Sequence, residues 1–73
     1  MIIDVKAKSS KAVIDTKYVA AMYTADVNGI PEVRFVIPGS DTLHIPVKDE
    51  KEVNSYVELF HHAKKHDYEK AII

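Results

Sequence analysis

An α+β domain, a small antiparallel β-meander of four or five strands packed against one C-terminal α-helix, is the fold class that this sequence predicts. Three observations predict it. Apolar and polar residues alternate with a period of two in runs separated by turn residues from Ile3 to Val47, the pattern of half-buried strands. After Asp49 the apolar period changes to that of a helix. The chain has 73 residues, 47% apolar and 29% charged, which makes residues 1–73 a single domain with no room for a second.

The elements follow in order. Ile3, Val5 and Ala7 alternate with Asp4, Lys6 and Lys8 to give a first strand, and Ser9-Ser10 supplies a short turn. Ala12-Val13-Ile14 returns antiparallel as a hairpin, and Asp15-Thr16 marks a corner or bulge. Tyr18 to Tyr23 is apolar on both faces, which predicts a central strand covered on both sides. Asn28-Gly29, between two β-rich runs, is the pair that tolerates positive φ at both central positions of a type I′ turn and is the strongest hairpin signal in the chain. In the strand that follows, Val33, Phe35 and Ile37 point one way and Glu32, Arg34 and Val36 the other. Pro38-Gly39-Ser40-Asp41 turns the chain into a strand carrying Leu43, Ile45 and Val47 on one face. Pro46 has no N–H for a ladder, so this strand is an edge or ends there.

Asp49, with Glu52 three positions on, forms a capping-box-like start for a helix near Glu50. Val53, Tyr56, Val57 and Phe60 make one apolar stripe, and Leu59 widens it. No glycine stops this helix, so it can run on toward Tyr68, and residues 68–73 form a helix extension, a last strand or an exchanging tail. The expected core is Val33, Phe35, Ile37, Leu43, Ile45, Val53, Val57 and Phe60. The opposite sheet face then carries Val19, Ala21, Tyr23 and Val36, which makes those residues the expected protein interface.

Composition narrows the chemistry. With no Cys there is no disulfide scaffold, thiolate metal site or Cys nucleophile. Two isolated glycines cannot build a phosphate loop, and no serine stands in a nucleophile elbow. Glu58, His62 and His66 stand at i, i+4 and i+8, the spacing of a ligand ladder, with His61 beside them. There is no HExxH motif, and His and Lys near a helix end are accounted for by its dipole, so no metal, cofactor or enzymatic activity is expected. The net charge of −1 provides no general attraction to phosphate or anionic lipid. No run approaches the roughly 18 apolar residues of a membrane span, and charge at Asp4 comes too early for a signal-peptide core, so a cytoplasmic protein is expected.

The stretch Ile14-Asp15-Thr16-Lys17-Tyr18-Val19-Ala20-Ala21-Met22, followed by Val33-Arg34-Phe35, Leu43-His44-Ile45-Pro46-Val47 and Glu52-Val53, resembles the layout of small FlbD-type bacterial proteins. It is also similar to the strand region of LytTR-type DNA-binding domains. What the resemblance implies is short strands leading to a carboxyl-terminal element; it assigns no functional residue.

A core this small supplies only about 3–5 kcal/mol, and with disulfides excluded the usual supplement is association. The expected function is therefore a non-enzymatic protein–protein interaction module that docks through an apolar sheet face or a sheet edge, self-associates as a homodimer or larger, and modulates a protein partner. A phage- or mobile-element-type regulator fits that description. The alternative is a small nucleic-acid-binding module that uses the strip Lys6, Lys8, Lys11 and Lys17, with Tyr18 or Tyr23 for stacking. Edge lysines that discourage strand-to-strand aggregation account for the same strip.

Overall fold

The computed structural model describes the backbone of every residue except Lys8, Ser9 and Ile73, and the side chains of all but residues 7–10 and 70–73. Five antiparallel strands are followed by one helix: β1 (Ile2–Ala7), β2 (Ser10–Asp15), β3 (Ala21–Val27), β4 (Ile30–Val36), β5 (Leu43–Pro46) and α1 (Glu50–Ile72). This is the expected α+β arrangement, but the meander is divided. β1 pairs only with β2, and β3, β4 and β5 form a separate three-stranded sheet with β4 in the centre. The expected Ser9-Ser10 turn falls partly outside the described residues.

The division comes from Thr16–Tyr18, a short 3-10 turn capped by Asp15, whose carboxylate accepts the Lys17 N–H at 3.1 Å. A side chain that satisfies its own backbone two residues on competes directly with strand pairing. The expectation of a central strand over Tyr18–Tyr23 is thereby corrected. Tyr18 projects into solvent, Val19 turns into the core at 1% exposure, and the strand begins only at Ala21, at the edge of its sheet. Ala20 donates to Val36 O at 2.8 Å while Ala21 is the ladder partner of Val36, so two residues oppose one and the strand starts with a bulge.

Both turns of the three-stranded sheet follow their residues. Asn28 and Gly29 have φ of 54° and 82°, as a type I′ hairpin requires, and Asp26 braces the turn by accepting the Gly29 N–H at 2.8 Å. Gly39 has φ of 81° after Pro38, and Ser40 N–H closes the turn on Ile37 O at 3.0 Å, a type II geometry.

The helix starts where its cap predicts: Asp49 accepts the Glu52 N–H at 2.9 Å. Of the three conformations open to residues 68–73, the helix extension is observed through Ile72. Val33, Phe35 and Ile45 are buried as expected, and Ile37, Leu43, Val53 and Phe60 pack against them half-buried. Phe60 meets Phe35 edge-on, with ring centroids 6.0 Å apart. The rest of the core is Ile3, Val5, Ile14, Val19, Val47 and Ala63, so the first hairpin and the 3-10 turn contribute as much of it as the main sheet does.

Polar contacts tie that hairpin to the helix at both ends. Tyr56 Oη donates to Lys6 O at 2.7 Å and accepts the Lys6 N–H at 3.1 Å. At the other end, the Met1 ammonium donates to Asp67 Oδ1 and the Thr16 hydroxyl donates its single proton to Asp67 Oδ2, both at 2.5 Å, with Met1 O also 3.0 Å from that hydroxyl. The two ends match in length: five strand residues at ~3.3 Å and eleven helical residues at 1.5 Å both span about 16 Å. β1 therefore lies antiparallel along α1. The Met1 ammonium, then the Thr16 hydroxyl, hold the Asp67 carboxyl at about 2 against its ordinary 3.8, and Asp67 in turn raises the Met1 amine above its ordinary 8.0.

Candidate docking site at the free edge of the sheet

Strand register determines which backbone groups the sheet leaves open. A two-residue type I′ loop makes Val27 and Ile30 a hydrogen-bonded pair, and alternation then gives the same status to Ala25–Glu32, Tyr23–Arg34 and Ala21–Val36. Met22, Thr24 and Asp26 consequently turn their N–H and C=O groups away from β4. Among the described residues none of these groups has a hydrogen-bond partner. β3 is a seven-residue strand with one complete face of its ladder unused.

The opposite side of the sheet is closed. On β4, Pro31 occupies a position facing β5, where its carbonyl accepts the Val47 N–H at 2.9 Å. The β4–β5 register makes Val33–Ile45 and Phe35–Leu43 hydrogen-bonded pairs, which leaves His44 and Pro46 facing outward. Proline has no N–H, so His44 offers the only outward amide of this four-residue strand. β1 also lies against β5.

Beside the free edge runs a groove whose other wall is α1. One part of about 450 Å³ is lined by Thr24, Ala25, Asp26, Pro31, Glu50 and Val53, and the next, of about 370 Å³, by Ala21, Met22, Val57, Phe60, His61 and Lys64. Met22, Val53, Val57 and Phe60 are all half-buried, so the helix stripe is wider than the sheet that covers it. Charge is divided along the groove, with Asp26 and Glu50 at one end and Lys64, beside His61, at the other. An open ladder beside apolar pockets is the arrangement that accepts an added strand, the backbone giving affinity and alternate side chains selectivity.

The expected interface residues separate. Ala21, Tyr23 and Val36 do share the sheet face turned away from the helix, with Ala21 and Val36 directly opposed, and Tyr23 is 44% exposed. Val19 does not join them, because the 3-10 turn sends it into the core. Nor is that face uniformly apolar. The Arg34 guanidinium lies 5.7 Å over the Tyr23 ring and reaches Glu32 Oε2 at 2.9 Å, with His44 Nδ1 3.6 Å from the other carboxylate oxygen. These partners explain how Glu32 is buried on an otherwise outward face. Val27 and Ile30 add exposed apolar surface at the hairpin end of that face.

On the first hairpin Lys6 and Lys11 are directly opposed and exposed, whereas Lys17 lies beyond Asp15 at the far end, 5.9 Å from the Tyr18 ring. Asp4 stands between them on the same face as Lys6, and Lys8 lies outside the described residues. His62 and His66 share a shallow hollow with Lys65 and Glu69. Among the described residues no group of three or more His, Asp or Glu side chains is placed to hold a metal ion, and no helix is long and apolar enough to cross a membrane.

No protein-family model, no curated protein and no solved structure matches this chain.

Proposed function

We propose that this protein is a non-enzymatic protein–protein interaction module that docks an extended segment of a partner along the free edge of β3, in the groove beside α1. The outward backbone of Met22, Thr24 and Asp26 carries this reading, because a complete unpaired ladder face lies directly over an apolar helix stripe. The bound segment would alternate apolar residues toward Met22, Val57 and Phe60 with residues beside Tyr23 and Val27 on the other face. Such a protein acts by occupancy, as a small cytoplasmic regulator masking its partner's strand, and requires no catalytic group.

Selection of heptapeptides from a random library displayed on phage tests the reading. Wild-type protein should enrich sequences with alternating apolar residues, and Thr24→Pro should lose them. That substitution removes an outward N–H and leaves every β3–β4 hydrogen bond intact. Failure to enrich any sequence, or equal enrichment by both proteins, would overturn the proposal.

A further inference from the structure

We infer that the segment which fits this edge is the β3 strand of a second copy, paired antiparallel about a two-fold axis at Thr24. The inference rests on the reading of β3 as a docking edge and adds the identity and register of the occupant. Only residues with outward backbone groups form hydrogen-bonded pairs, and on β3 these are Met22, Thr24 and Asp26. Centring the axis on Thr24 pairs Thr24 with its own counterpart and Met22 with Asp26 of the second copy. Every open donor and acceptor then meets a partner, with two hydrogen bonds in each of the three cross-strand pairs.

The side chains agree with that register on both faces. On the outward face it sets Tyr23 against Ala25 of the second copy and Ala21 against Val27, placing an exposed aromatic on a small residue. On the helix face the groove's division of charge becomes complementary. The Asp26–Glu50 end of one copy meets the His61–Lys64 end of the other, since the groove runs antiparallel to itself across the axis. Thr24 lies between the levels of Val53 and Val57, so the two helices flank the axis with these half-buried side chains toward each other. Two edge-protecting residue types are absent from β3, which has no Lys and no Pro; its one charged residue is Asp26, and its bulge at Ala20–Ala21 lies outside the paired residues 22–26. A symmetric interface of this kind closes at two copies, leaving β5 and its proline outermost in a six-stranded sheet.

The chain has no Cys, so a single introduced thiol reports one position without ambiguity. Cα atoms of a hydrogen-bonded antiparallel pair lie about 5.5 Å apart, within the range a disulfide spans. Under mild oxidation Thr24→Cys should become a covalent dimer, whereas Val13→Cys, at a 71% exposed position on the first hairpin, should remain a monomer. Light scattering should give twice the 8.2 kDa chain mass for wild type and the single-chain mass for a folded Thr24→Pro variant. Glu50→Lys or Lys64→Glu alone should weaken the dimer several-fold, and the double exchange should restore it. A monomeric wild type whose Thr24→Cys variant cross-links no faster than Val13→Cys would overturn the inference. If that monomer still enriches peptides in a Thr24-dependent way, the docking edge stands and only self-pairing fails.

Discussion

β3 and β5 flank the same central strand, yet one edge is closed and the other open. On β5 a four-residue length, an outward proline and the neighbouring β1 leave the His44 amide as the sole outward donor. On β3 seven residues present three outward amides and three outward carbonyls beside a half-covered helix stripe. β3 comes from a run that begins apolar on both faces, and β5 from an alternating run that carries a histidine and a proline. What separates them is ladder parity: Pro46 falls where its missing N–H faces away from β4, while β3 has no proline and its unused groups face a groove. Openness of an edge is therefore a property of register and of neighbours, and on this molecule it coincides with incomplete burial of α1.

Phe35→Ala should have the largest effect, because it removes the aromatic that seats the sheet on Phe60 beneath both edges. The expected loss is about 3–5 kcal/mol, comparable to what one small core supplies, so a chemical denaturation curve should show the variant largely unfolded. A smaller and more selective effect is expected for Tyr23→Pro. The Tyr23 N–H belongs to the β3–β4 ladder, and leaving its partner, the Arg34 carbonyl, unsatisfied costs about 1–3 kcal/mol. Thr24→Pro, one residue away, should keep a near-wild-type melting temperature while abolishing docking. Equal melting temperatures for the two variants would contradict the assigned parity.

The main sheet is held by apolar packing, whereas the first hairpin is held partly by the Asp67 clamp. The Asp67 carboxyl is depressed to about 2, so its contribution is fully present above its ordinary 3.8 and fades as pH falls toward 2. The Met1 amine is raised above 8.0, so its contribution is present below that value and fades as pH rises through the raised one. Urea midpoints should show a plateau between about pH 4 and 8, and Asp67→Asn should lower that plateau and flatten both flanks. The smallest effect belongs to Asp49→Ala at the start of α1, a loss of about 1 kcal/mol seen as a modest shift of the urea midpoint, with docking unchanged.

Elements determined by contiguous residues were legible in the sequence. The Asn28-Gly29 turn, the Asp49 cap and the alternation from Val33 to Ile45 are local signals, and the structure follows each of them. The run from Tyr18 to Tyr23 misled because its β-branched and aromatic residues favour a strand, whereas the Asp15 side chain captures the backbone first. Ala63 is buried without a sequence signal, because small size rather than hydropathy suits it to close contact. The Thr16–Asp67 contact joins residues 51 positions apart, and no local pattern announces it. The free edge on β3 was not legible: Pro46 marks β5 as one edge, but the apolar run leading into β3 reads as a central strand. The free edge depended on the 3-10 turn detaching β2 from β3.

The most direct measurement is amide hydrogen exchange by NMR on the wild-type protein at low and high concentration. At low concentration Met22, Thr24 and Asp26 should exchange rapidly while Tyr23 and Ala25 are protected. At high concentration the first three should become protected as well, because the edge is then paired. Protection of Met22, Thr24 and Asp26 in the dilute monomer, or exchange at these positions that concentration does not alter, would contradict the account.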